Sequence, residues 1–316
     1  MKTLPRFALS LSAAALAAFF AAGSHFNLIP ANGVLSAAVA NAQDQAPPDQ
    51  GPDPAAVNQA PAPDDSSMAP SGQSYSTGAP PQDQNPDDAD YSEAPTATAP
   101  EPPPPLPDYD QPPPPSDGYI WTPGYWAWGG TGYYWVPGVW VEPPYMGGLW
   151  TPGYWAFYGG HFWFHPGHWG LHIGFYGGIH YGFGYVGFGY EGGYWNAGHF
   201  FYNRAYNHVD VHVRNVYSYH ADNREINRTT VINRPSYRGP YGVQARPQPS
   251  EGAAWHEPTA PRMSTQVQHE QNFSAMRGQY ANQNHGKPAS PAVNRPLQAD
   301  RNVQPQQRSS GGGHHR

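Results

Sequence analysis

The stretch Trp121-Thr-Pro-Gly-Tyr-Trp126 decides how this chain is read, because it comes back. Trp135-Val-Pro-Gly-Val-Trp140 and Trp150-Thr-Pro-Gly-Tyr-Trp155 repeat it, Phe164-His-Pro-Gly-His-Trp169 is a variant copy, and Trp195-Asn-Ala-Gly-His-Phe200 is a degenerate one. The first four copies start 14, 15 and 14 residues apart, which marks an internal repeat. Gly-Gly pairs at 129–130, 147–148, 159–160, 177–178 and 192–193 punctuate the sequence between Pro-Gly steps. The runs between them are rich in Trp, Tyr, Phe and Val, which favour strands, and they carry turn residues at both ends. So much Gly and Pro excludes a helix. The expected architecture is all-β: a small antiparallel meander with two short strands and two direction changes per period.

The Pro-Gly step itself has two geometries open to it. Thr122, Val136, Thr151 and His165 precede proline and are pushed toward extended backbone. Pro-Gly suits a type II turn, yet two-residue hairpins prefer the mirror-image types. The step is therefore either a reversal that sets its two indoles side by side or a bend within a strand. Ala156 to Trp163 reads as a hairpin, with Gly160 free to take a positive φ. From Leu171 to Tyr190 glycine alternates with aromatics. That pattern predicts a flat sheet with rings on one face, or else poorly ordered low-complexity chain. Val209 to Tyr219 alternates as a closing strand, Ile226 to Asn233 as a further one, and Thr265 to Gln279 as a short helix capped by Ser264 or Thr265.

Charge divides the chain. Residues 43–117 hold fourteen Asp/Glu and no Lys/Arg, residues 118–203 only Glu142 and Glu191, and residues 204–316 fourteen Lys/Arg against seven Asp/Glu. Lys2 and Arg6, the apolar run Phe7 to Ala22 and the small-residue motif Ala40-Asn41-Ala42 read as an export signal over 1–42. Residues 43–117, ending in Pro102–Pro105 and Pro112–Pro115, read as an acidic, disordered, semi-rigid proline-rich spacer. The repeat domain is expected over 118–220 and a mostly disordered basic tail over 221–316. The absence of cysteine removes disulfides, thiolate metal sites and a Cys nucleophile.

Thirty-one of the 86 residues from 118 to 203 are Phe, Trp or Tyr, more than so small a domain is expected to bury. The expectation is an exposed aromatic binding surface made by Trp121, Trp126, Trp135, Trp140, Trp150, Trp155 and Trp169. Its partners would be an envelope polymer (polysaccharide or peptidoglycan), another envelope protein, or a second copy. Nucleic acid is not expected, and membrane contact would be peripheral at most. The alternative is a divalent transition-metal site at His161, His165, His168 and His172; otherwise no cofactor is expected. No catalytic constellation stands out. Glu142 and Glu191 would form a glycosidase pair only if folding joined them, and no nucleophile motif, phosphate loop or zincin helix is present.

The Trp-x-Pro-Gly-x-Trp units, with Tyr133-Tyr-Trp135 before one of them, resemble the YXWGXW (WXXGXW) repeat proteins of Gram-negative bacteria. Asn227 to Asn233, Ser236-Tyr237, Gly242 to Pro247, His269-Glu-Gln271 and Asn284 to Pro288 are similar to segments that follow the repeats in long members. The resemblance implies an exported protein of the periplasm, outer-membrane surface or exterior. The family is uncharacterised in function, so no functional residue carries over. Some short members are lipoproteins linked to contact-dependent inhibition loci; this chain lacks the cysteine that link needs.

Overall fold

Each pair of Trp-x-Pro-Gly-x-Trp units folds into one bent hairpin, and the fold is built from two of them. The computed structural model describes residues 51–62, 93–220 and 234–307. β1 (Ala97–Ala99) precedes the repeats. The first hairpin is β2 (Ile120–Thr122), β3 (Tyr125–Trp128), β4 (Tyr133–Val136) and β5 (Val139–Val141). The second is β6 (Leu149–Thr151), β7 (Tyr154–Tyr158), β8 (His161–His165) and β9 (His168–Gly170).

Strand pairing settles the Pro-Gly question in favour of the bend. In the first hairpin Trp126 faces Trp135 and Trp121 faces Trp140. In the second, Trp155 faces Phe164 and Trp150 faces Trp169. The ladder therefore runs from the hairpin tip through two Pro-Gly steps lying opposite each other. One period holds one reversal and one bend, not two reversals. The reversal uses the Gly-Gly pair: Gly159 and Gly160 have φ of 58° and 79°, the left-handed pair that a type I′ turn requires.

The two bends lock each other. The first aromatic ring of each unit lies on the glycine of the opposite unit. A Cβ built on Gly138 would stand 2.5 Å from Cζ2 of Trp121, and one on Gly124 would stand closer still to the indole of Trp135. Gly167 lies under Trp150 in the same way, and Gly153 lies under Phe164, with 2.9 Å to that ring's tip and 2.7 Å to two backbone atoms. None of these four glycines needs a positive φ; what each supplies is room for a ring. The indole pairs that result meet edge-on or tilted, with centroids 5.2 Å apart in all three Trp–Trp cases. Such pairs contribute roughly 0.5–1.5 kcal/mol beyond area burial.

The Gly/Tyr segment joins the hairpins. It forms only β10 (His180–Gly182) and β11 (Tyr185–Val186), a two-stranded ribbon with an irregular register. It is neither a flat sheet nor loose chain, because its rings point inward as wedges. Tyr176, Tyr181, Tyr185 and Tyr190 are buried. The Tyr185 hydroxyl sits between the carbonyls of Trp121 (3.1 Å) and Trp150 (2.9 Å), one from each hairpin, and donates to either. Tyr181 donates to the Gly153 carbonyl at 2.6 Å. β12 (Gly193–Asn196) and β13 (His199–Asn203) carry the degenerate unit as a plain hairpin, with Trp195 facing Phe200. Where a strand is expected over 209–219, only β14 (Val216–Tyr217) forms, parallel to β13. Val211 is 83% exposed, so the alternating stretch before it has no sheet to bury a face against.

The flanking segments contribute more packing, within the described residues, than their composition suggests. The acidic linker expected over 43–117 and the tail expected over 221–316 enter the described residues at 51–62, 93–117 and 234–307. Residues 51–62 meet the Gly/Tyr segment through Asn58, which donates to the Tyr190 and Gly193 carbonyls, and the other two stretches pack on the hairpins. β1 pairs with β8; β15 (Tyr237–Arg238) runs parallel to β7; β16 (Ala260–Pro261) pairs with β9. These additions cover strand edges that would otherwise be open. The helix Ser264–Ser274 lies where the sequence places one, ending five residues sooner than expected. The expected strand at 226–233 and the 1–42 segment lie outside the described residues. Sequence composition undervalued these segments because their burial depends on indole surface supplied by the repeats.

Candidate functional site

The seven indoles expected to form an exposed surface are instead the core. Trp121, Trp126, Trp135, Trp140, Trp155 and Trp169 are at most 2% exposed and Trp150 is 5% exposed. The correction has a physical reason: paired across a bent hairpin, each ring covers its partner's backbone, and the flanking segments close the rest. Five of the seven N–H donors are spent inside, while that of Trp121 is buried without a hydrogen-bond partner among the described residues. Trp126 donates to the Pro105 carbonyl (3.1 Å), Trp140 to Pro112 (2.6 Å), Trp135 to Pro291 (2.9 Å), Trp155 to Trp126 (2.7 Å) and Trp169 to the Gln266 side chain (2.9 Å). A crevice where the two pairs of bends meet, lined by Pro123, Pro137, Pro152 and Gly167 and roofed by Arg262 and His269, encloses about 30 Å³, room for a water or two.

Aromatic surface is left elsewhere. Alternation along β8 buries Phe162 and Phe164 and turns His161 and Trp163 outward. Trp163 stacks on Tyr158 of β7, centroids 5.4 Å apart and planes within 13°, and its N–H is held by the Tyr158 carbonyl at 3.1 Å. His161 stands edge-on to the same indole. Both large rings are half-buried and flanked by small residues, because Ala156 and Thr98 are the cross-strand partners of Trp163. This stacked pair at the tip of the second hairpin lies outside the repeat motif, because Trp163 belongs to no Pro-Gly unit. The period-two alternation of His161 to His165 is the signal that would have found it.

The four histidines do not converge. His161 is exposed at the hairpin tip, with Nδ1 3.3 Å from the Gly159 carbonyl. His165 is buried, stacks on Tyr154 at 5.0 Å and places Nδ1 2.8 Å from the Glu93 carbonyl; burial lowers its pKa. His168 is buried with Nδ1 3.9 Å from the Glu93 carboxylate. His172 pairs with Glu257, 2.8 Å from each oxygen. His161 and His165 stand at opposite ends of β8, His165 and His168 flank the bend and both meet Glu93, and Glu257 draws His172 away. Among the described residues no group of three His, Cys, Asp or Glu is arranged to hold a metal ion.

The two carboxylates of the repeat region serve different places. Glu142 pairs with Arg301 and accepts from the Ala299 N–H. Glu191 is buried, and its carboxyl is pushed up to about 8, first by that burial and then by the neighbouring Asp53 carboxylate. A third polar cluster fastens the helix to the first hairpin. Tyr125 and Tyr134 donate to Glu270 at 3.1 and 3.2 Å, and Arg262 pairs with the same carboxylate. Burial first, then the Glu270 charge, raises both phenols, so they stay protonated donors.

Comparison with known families agrees with this partition of the chain. The model of the WXXGXW repeat matches in two copies, at residues 117–141 and 149–169. Each match spans one complete bent hairpin, so the family's repeat is the crossed pair of Trp-x-Pro-Gly-x-Trp units rather than a single unit. No curated protein and no solved structure matches the chain.

Proposed function

We propose that this two-copy WXXGXW repeat chain is an exported, non-catalytic structural protein of the cell envelope, which touches its partner through the Tyr158–Trp163 pair. One observation carries the reading: the repeat indoles are interior, five of their seven donors held by the chain itself, while the stacked ring pair on the second hairpin stays half-exposed. A domain without cysteine that must persist outside the cytoplasm needs stability from packing, and crossed indole pairs are such a source. The basic, apolar and small-residue succession of residues 2–42 supports export. Among the described residues no helix is long and apolar enough to cross a membrane. The partner chemistry best suited to a half-exposed pair of stacked, nearly parallel rings beside small side chains is the apolar face of a pyranose in an envelope polysaccharide or peptidoglycan.

Co-sedimentation of the full chain with purified sacculi, compared with Trp163→Ala, tests the contact. The variant should lose most of the bound fraction with its thermal melt unchanged, because Trp163 is half-exposed. Equal retention of both proteins would remove the glycan reading. Intact-mass measurement of the mature chain from the cell envelope tests export: a start near residue 43, or near residue 24, is expected, and an N-terminus at Met1 in the cytoplasmic fraction would refute it.

A further inference from the structure

The segment before the repeats does not lie on the first hairpin as a strand. Residues 102–114 are extended but pair with no neighbour as a strand. Their burial repeats every third residue: Pro103 and Leu106 are buried and Pro105 and Asp108 exposed. After a slip at Tyr109–Asp110 the pattern resumes, with Gln111 and Pro114 buried and Pro113 exposed. Three residues per turn is the period of a polyproline II helix, in which the carbonyls have no internal partner and must find donors outside. Here the donors are side chains of the hairpin, joined by the Ser236 hydroxyl, which donates to the Pro103 and Pro104 carbonyls. Trp126 Nε1 reaches the Pro105 carbonyl, Trp140 Nε1 that of Pro112, and the Tyr133 hydroxyl that of Glu101 at 2.7 Å. Tyr109, between the two proline blocks, inserts its ring edge-on to Trp135 at 5.9 Å and accepts from the Gly124 N–H at 3.0 Å, on the bend itself. Indole and phenol donors aimed at proline carbonyls from an aromatic groove are the chemistry by which polyproline helices are recognised.

We propose that the first WXXGXW hairpin is a receptor for proline-rich segments in the polyproline II conformation, and that residues 101–115 are its resident ligand. This inference does not depend on the envelope function or on the Tyr158–Trp163 contact. Proline suits the site for a stated reason: lacking an N–H, it leaves no donor stranded against the indoles, and its fixed φ reduces the ordering cost. Only a short turn, Ser116 to Gly118, separates the ligand from β2, so the tether keeps the local concentration high and the groove filled. A proline-rich segment of another chain, a second copy included, occupies the same donors once the resident segment is out.

The test places a protease site between Asp117 and Gly118 in the full chain and uses a labelled peptide of residues 93–117. The uncut chain should not bind the peptide. The cut chain should take up one peptide per chain, read by fluorescence anisotropy. The same peptide with Pro102–Pro105 and Pro112–Pro115 changed to Ala should bind about tenfold more weakly or worse, because it loses its preorganisation. A cut chain that keeps its cooperative melt but admits no peptide, or that admits the alanine peptide equally, overturns the proposal. Should cutting abolish the melt, the uncut chain carrying the same eight Pro→Ala changes supplies the answer through indole N–H exchange. Trp126 and Trp140 should exchange at least about tenfold faster, while Trp135 and Trp155, whose acceptors are Pro291 and Trp126, stay as they were. Uniform change at all four, or none, overturns it as well.

Discussion

Gly138→Ala is the perturbation that probes the crossed bends most sharply. The added methyl would stand 2.5 Å from the Trp121 ring, 3.0 Å from the Tyr109 hydroxyl and 3.1 Å from the Gly124 nitrogen. The ring is 0% exposed and pinned against Trp140, and the nitrogen is backbone, so neither can step aside. Overpacking of this kind costs about 1–3 kcal/mol, and the backbone contact puts this site near the top, at about 3 kcal/mol. For a folded region of 150–250 residues, that lowers Tm by roughly 6–12 °C. Gly160→Ala is the control. It has open space around it and a φ of +79°, so only the left-handed backbone is penalised, by about 1–2 kcal/mol. Thermal and urea unfolding followed by tryptophan fluorescence would measure both. A further arm makes the reasoning specific: with Trp121→Leu already in place, the added cost of Gly138→Ala should fall by at least about 1 kcal/mol, the coupling expected of residues in direct contact. If Gly138→Ala costs no more than Gly160→Ala, or if its cost is indifferent to Trp121, the crossed-bend account of the motif is wrong.

Other expectations follow from the buried polar groups. The Glu191 and Glu251 carboxyls are both pushed up to about 8, chiefly by burial. The folded chain therefore holds more protons than the unfolded one between about pH 4.5 and 8, and stability should fall as pH rises through that window. Glu251→Gln should raise Tm at pH 8 and change it little at pH 5. His165, His180 and His269 have lowered pKa values from burial, so stability should also fall as pH drops below about 6.5, where the unfolded chain takes up protons that the folded one refuses. Glu270→Gln strands Arg262, whose side chain is 21% exposed, and should cost about 2–4 kcal/mol in urea unfolding. Asn203 is fully buried, donating to the Glu191 and Tyr219 carbonyls and accepting from the Ala205 and Tyr219 amides; Asn203→Ala should cost about 2–4 kcal/mol, visible as a lowered Tm.

The sequence was informative where one residue type could do only one thing. Gly159-Gly160 between aromatic runs had to be a hairpin turn, and the repeat period had to be β. It was ambiguous where the decisive contact lay across the hairpin. Nothing local to Trp121-Thr-Pro-Gly-Tyr-Trp126 says that its first ring rests on Gly138, so bend and reversal looked equivalent. The same non-local cause misplaced the indoles. The rings of 118–203 exceed what that segment alone can bury, and the proline arm and the tail supply the missing cover. Pro105 and Pro112 bury Trp126 and Trp140 by offering carbonyls, a property composition does not register. The histidines show the opposite case. His161, His165, His168 and His172 are close in sequence, but His161 stays at the exposed hairpin tip, His165 and His168 both meet Glu93, and His172 pairs with Glu257.

Residue-resolved oxidation of indoles in the native full chain tests the central claim most directly. Four of the tryptophans, Trp128, Trp163, Trp195 and Trp255, are half-exposed, and the seven repeat tryptophans are buried. Mass spectrometry after mild oxidation should find modification confined to those four, with Trp121, Trp126, Trp135, Trp140, Trp150, Trp155 and Trp169 protected until the chain is unfolded in denaturant. Native-state modification of the seven at the same rate as Trp163 would contradict the account and return the repeat indoles to the surface.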